Sequence, residues 1–147
     1  MKILFVLLAI LAGSLIGMQG PINSSLGSKI GLIEAALFNF LVGGLVLAIN
    51  VAVWGKGSIF LAKEAAWWQL TGGLLGATFV FSSIFIIPKL GAAVTMLSVI
   101  AGQMTISLIA DHFGLFGLRQ MPINYYRLSG VVLLFCSLYF IFKGTAR

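Results

Sequence analysis

The chain has 147 residues, of which 61% are hydrophobic and 8% charged, and its mean hydropathy is +1.14. Soluble domains carry about 25% charged residues, so this composition excludes a soluble fold and marks an integral membrane protein. The net charge of +6 comes from nine Lys and Arg scattered singly, which excludes both a nucleic-acid patch and a polybasic lipid-binding run.

One Cys, one His and three carboxylates leave little for chemistry. Cys136 has no intramolecular partner, and the His and acidic residues do not cluster at metal-ligand spacing. The sequence contains no Ser/His/Asp arrangement, P-loop or GxGxxG fingerprint. The expectation is a protein that is not an enzyme and holds no metal or cofactor.

Lys2 and the apolar run after it resemble a signal peptide. Gln19, Gly20, Pro21 and Asn23 make a poor cleavage site, however, and the segment is expected to stay as a first span over about 3–22. Gly17, Gly20 and Pro21 invite a break there, because Pro removes a backbone donor. Gln19 and Asn23 lie one turn apart at that weak point. Gly13 and Gly17 form a small-xxx-small pair suited to close helix packing. A short polar loop, Ser24 to Gly31, is expected next, carrying Lys29.

The second span is expected over 32–54. Asn39, Gly43 and Asn50 share one face, and Phe38, Leu41 and Leu45 form a lipid-suited face opposite. Glu34, near its start, has two readings: a proton-coupling carboxylate, or a headgroup-level charge beside Lys29. After a loop with Lys56, Lys63 and Glu64, Trp67 and Trp68 mark an interface. They open a third span over 67–87, which Pro88 is expected to end. Its stripe of Gln69, Gly73, Gly76 and Ser83 reads first as helix packing, with a substrate-facing wall as the alternative.

The fourth span, about 90–111, is apolar yet carries Gln103, Ser107 and Asp111 at i, i+4 and i+8, one narrow strip of a helix. Lipid leaves such groups unsatisfied, so the strip must face protein or a wet cavity. His112 projects about 100° away from Asp111 and reads as an interfacial hydrogen-bonder. A fifth span, about 125–142, begins at the interface anchor Tyr125, Tyr126 and Arg127.

Five spans put the two ends of the chain on opposite sides. Lys2, Lys56, Lys63, Arg119 and Arg127 then fall on one side, and Lys29, Lys89, Lys143 and Arg147 on the other. Short loops with so even a division give almost no positive-inside signal, so the chain is expected to insert either way up. Two opposed copies would form a ten-helix assembly with inverted symmetry, each chain being a half-unit without an internal repeat.

Certain residues carry a family likeness. These are Gln19 and Asn23 with Leu26-Gly27, Asn39-Phe40 with Gly43, and Gly91-Ala92. The most specific piece is Gly102-Gln103 followed by Asp111-His112-Phe113-Gly114 and Gly117. Over nearly its whole length the chain resembles the small YdcZ-like proteins of the drug/metabolite transporter superfamily. The resemblance implies a bacterial inner-membrane protein of about five spans, similar to half of a ten-span transporter and working as a dual-topology homodimer, an oppositely oriented pair or a fused form.

The expectation is therefore an all-α, multi-pass membrane protein forming a single transmembrane domain over 1–147. It would act as an antiparallel homodimer in the lipid bilayer, a secondary transporter of a small polar or amphipathic solute with no nucleic-acid partner. Gln19, Asn23, Gln103, Ser107 and Asp111 would line its pathway, with Glu34 as a second candidate carboxylate. The alternatives are a heteromer subunit, a small dual-topology channel and an accessory assembly protein.

Overall fold

A computed structural model describes residues 2–145; Arg147, counted among the cations above, lies outside them. The helices are α1 (Lys2–Ile30), α2 (Leu32–Trp54), α3 (Gly72–Leu90), α4 (Ala92–Phe113) and α5 (Tyr125–Thr145), with no strand among the described residues. A 3-10 turn, Trp67–Thr71, leads into α3, and with it all five helices are long and apolar enough to cross a membrane. Their apolar residues lie on every side rather than along one stripe. That is the pattern of a helix whose outer face meets lipid instead of water. The chain divides into two compact units, Met1–Lys89 and Leu90–Arg147.

In the first unit, α1 is 29 residues long, about 44 Å at the α-helical rise and longer than a bilayer core of about 30 Å. The expected break at Gly17 to Pro21 and the expected loop from Ser24 to Gly31 are both absent, because the helix runs unbroken to Ile30. Pro21 costs it only the donor for the Gly17 carbonyl, a loss that membrane helices tolerate. Of the polar residues after it, Asn23 and Ser24 are buried, while Ser25, Ser28 and Lys29 are exposed. Ser28 donates back to the Ser25 carbonyl at 2.7 Å, which keeps its hydroxyl satisfied within the helix.

Gly31 alone joins α1 to α2. Its φ of 102° is open to glycine and strained for other residues. Its N–H closes the last turn of α1 on the Gly27 carbonyl, and its own carbonyl opens α2 by accepting from Ala35, both at 3.0 Å. At the other end of the unit, Pro88 does not end α3, which continues to Leu90.

The core of this unit is small. Ala35 and Ile84 are fully buried, Val80 nearly so, and Leu26, Leu32, Ala36 and Phe79 pack around them. A Cβ on Gly27 would stand 2.5 Å from Ile84 Cγ2, so the bare backbone of α1 is what admits α3. Phe40 of α2 likewise lies over Gly76 of α3, 3.5 Å from the position of a Cβ. Lipid tails are as apolar as these side chains, so close van der Waals contact through small residues, rather than escape from water, holds the helices together. The stripe on α3 therefore serves packing at Gly76 and at Ser83, which is buried and donates to the Phe79 carbonyl at 2.9 Å.

The second unit is a helical hairpin, α4 packed along α5. Gly91 opens α4 with φ 77°. Thr95 returns both its backbone N–H and its hydroxyl to the Gly91 carbonyl, at 3.2 and 2.7 Å. At the far end Gly114 caps α4 in the left-handed region at φ 62°.

Candidate functional site

The first unit contains a half-open pocket of about 250 Å3. α1 contributes Gln19 to it, α3 contributes Val80, and α2 supplies Asn39, Phe40 and Leu47 with Gly43-Gly44 between them. The two glycines leave the α2 face bare: a Cβ on either would meet nothing within 4 Å. Two side-chain amides, one aromatic ring and aliphatic carbons thus meet in a space between apolar helices. Asn39 Nδ2 is buried and has no hydrogen-bond partner. A buried donor without an acceptor is costly.

Of the expected pathway residues, Gln19 lines this pocket. Asn23, one turn further along α1, is buried within the helix packing. Asn39 was not among the expected pathway residues, although it shares a face of α2 with Gly43 and both belong to the family likeness. That pairing was the available signal: a polar side chain one turn from a glycine marks a recess as well as a stripe.

Glu34 is exposed in the first turn of α2, where a carboxylate meets the positive end of the helix dipole. Its side chain folds back against Gly31, into the space a Cβ there would fill. In the second unit Gln103 and Ser107 are exposed on α4. Asp111 stands apart from them in its bonding. Its Oδ2 receives Arg127 Nη2 at 3.0 Å, with both side chains about two-thirds to three-quarters shielded.

That ion pair is the centre of a stapled corner between α4 and α5. Arg127 Nη1 also donates to the Met121 carbonyl at 3.1 Å, and the Asp111 carbonyl accepts from the Met121 N–H at 2.7 Å. His112 Nδ1 accepts from the Ile123 N–H at 3.2 Å, and the His112 carbonyl accepts from Gln120 Nε2 at 3.0 Å. Asn124 caps α5, its Oδ1 taking the Arg127 N–H at 2.9 Å. Arg127, expected as an interface anchor beside Tyr125 and Tyr126, turns instead to Asp111; the two tyrosines are fully outward. Asp111, His112 and Gly114 thus shape a turn.

Taken together, these are the features of a multi-pass helical membrane protein with a largely apolar pocket, carrying two side-chain amides, among the helices of its first unit. A family model described as "Putative inner membrane exporter, YdcZ" matches residues 4–140, and the chain belongs to that family. It is thus a multi-pass inner-membrane protein of a family described by export, not by catalysis. The "Inner membrane protein YdcZ" of Escherichia coli (strain K12) is 37% identical over 86 residues. That match covers 56% of this chain and 56% of the relative, so it spans little more than half of either protein. No solved structure matches.

Proposed function

We propose that the chain is one half of a secondary transporter, pairing with an oppositely oriented copy of itself to carry a small polar or amphipathic solute across the inner membrane. The observation that carries this reading is the even division of Lys and Arg about five spans, which leaves insertion without a preferred direction. A carrier benefits from such a pair because inverted copies make its inward-open and outward-open states near-equivalent. Two further features support it. Gln103 and Ser107 are exposed on a membrane helix, and a Cβ at Gly13 or Gly17 of α1 would meet open space. Polar groups and small-residue patches of this kind are satisfied in lipid by another helix. The solute would pass by Gln19 and Asn39, with Asp111 holding the α4–α5 corner.

The test is orientation. A reporter active only in the cytoplasm and one active only outside are each fused after the last residue. Both are expected to be active, and moving a lysine from position 56 or 63 to the opposite loops should bias the ratio. Activity from one fusion alone would overturn the self-paired assembly and direct attention to a sister chain of opposite orientation.

A further inference from the structure

The polar side chains of α4 differ in how they are satisfied. Thr95, Ser98 and Thr105 donate back to carbonyls one turn earlier, at 2.7–2.8 Å, and need nothing outside their own helix. Ser107 can bond back in the same way. Gln103 is exposed and has no hydrogen-bond partner among the described residues. Its amide brings two donors and an acceptor, and the oxygen finds no donor in a helix whose own N–H groups are engaged. Lipid supplies none either, so Gln103 needs a group from another helix.

Depth narrows the choice of that group. α4 runs Ala92–Phe113, 22 residues, about 33 Å at the helical rise, which matches a bilayer core of about 30 Å. Its midpoint falls between Gly102 and Gln103, so the amide sits at mid-membrane, out of reach of headgroups and water. The two-fold axis relating two oppositely oriented copies lies in that same plane. Only residues at this depth can meet themselves across such an axis. A residue one turn above the middle in one copy faces a residue one turn below it in the other. A side chain that meets itself must be self-complementary, as an amide is: Oε1 of each copy accepts from Nε2 of the other. A lone donor or a like charge is not. The surroundings suit the approach of a helix in lipid, since Ile100 and Ile106 are exposed and a Cβ on Gly102 would meet nothing within 4 Å.

We propose that Gln103 is the contact on which two copies of this chain pair, amide to amide at mid-membrane, with Val99 of each copy facing Ser107 of the other. The register rests on the oppositely oriented assembly proposed above; the need of the amide for a partner does not. Gln103 takes an assembly role here in place of the pathway role expected from the sequence.

The test traps the pair in membranes carrying the full chain. The single cysteine, Cys136, is replaced by serine, new cysteines are placed on α4, and the membranes are oxidised with copper phenanthroline. A disulfide needs Cα atoms about 4.4–6.8 Å apart. Gln103→Cys alone is expected to give a crosslinked dimer. Val99→Cys and Ser107→Cys should each give none alone, yet crosslink when combined in one chain with Gln103 intact. Those two positions are about 12 Å apart along the helix, too far to bond within it. Without introduced cysteines, Gln103→Leu should weaken pairing by about threefold to thirtyfold, read from the dimer fraction at increasing lipid dilution. Leucine suits an exposed membrane position, so this variant keeps its fold. Reporter fusions active on both sides, with no crosslink at position 103 or between 99 and 107, would overturn the contact and leave the transporter reading standing. Pairing indifferent to Gln103→Leu would likewise overturn it. Crosslinking by Gln103→Cys together with Val99→Cys alone and Ser107→Cys alone would mean copies of one orientation, upholding the contact while removing the oppositely oriented transporter.

Discussion

The carboxylate of Asp111 at the end of α4 and the guanidinium of Arg127 in the first turn of α5 meet at 3.0 Å, across a connector to which neither residue belongs. The pair closes the base of the hairpin, and Arg127 spends its second nitrogen on the Met121 carbonyl within the connector. Exposed ion pairs are worth about 0–1 kcal/mol and breaking buried ones costs about 3–5 kcal/mol; a pair this shielded falls between. In a double-mutant cycle, Asp111→Asn and Arg127→Gln should show a coupling of about 1–2 kcal/mol when unfolding is followed in detergent. Strictly additive effects would mean that the contact contributes nothing to the hairpin.

At Gly27 the prediction concerns packing. Alanine there would place its Cβ 2.5 Å from Ile84 Cγ2 and push α3 away from α1, a cost of about 1–3 kcal/mol for overpacking. Shortening the obstacle with Ile84→Ala in the same chain should return part of that loss. Absence of any rescue would show that the two helices do not touch there.

Gly31 is a matter of backbone rather than space alone. With φ at 102° and the Glu34 carboxylate lying where a Cβ would go, Gly31→Ala should destabilise the first unit by about 1–3 kcal/mol. Adding Glu34→Ala should relieve the steric part and leave the backbone part. Wild-type stability in Gly31→Ala would argue that the α1–α2 corner takes another shape.

Gly43 should behave in the opposite way. A Cβ there meets nothing within 4 Å, so Gly43→Ala should leave stability within about 0.5 kcal/mol while reducing the room beside Asn39. Transport lowered with thermal stability unchanged would place the pocket on the solute's path. Transport unchanged in both Gly43→Ala and Gly43→Leu would remove it from that path.

Much of this protein was legible in its sequence. Twenty-residue apolar runs, Trp67-Trp68 at one interface and the sparse, evenly placed cations specify five membrane helices, because the bilayer allows few other ways to satisfy a backbone. The α4 and α5 boundaries fall within about two or three residues of expectation, an ordinary uncertainty for helix ends. The motifs of α4 were also visible, and with them the family.

What composition could not decide is which way a polar residue points and whom it meets. Ser24 to Gly31 reads as a loop because it is polar; in the fold it is helix as far as Ile30, with Ser24 buried and Ser25, Ser28 and Lys29 exposed. Asp111 reads as a pathway carboxylate on a polar strip, yet Arg127, sixteen residues later, pairs with it. Asn39 is one amide among several in the sequence. It becomes distinctive when α1 and α3 close over α2 and leave its Nδ2 buried without a partner. Periodicity assigns a residue to a face, since the helical repeat is local. Partners depend on contacts between distant segments, and here a handful of glycines decide those contacts by letting backbones approach.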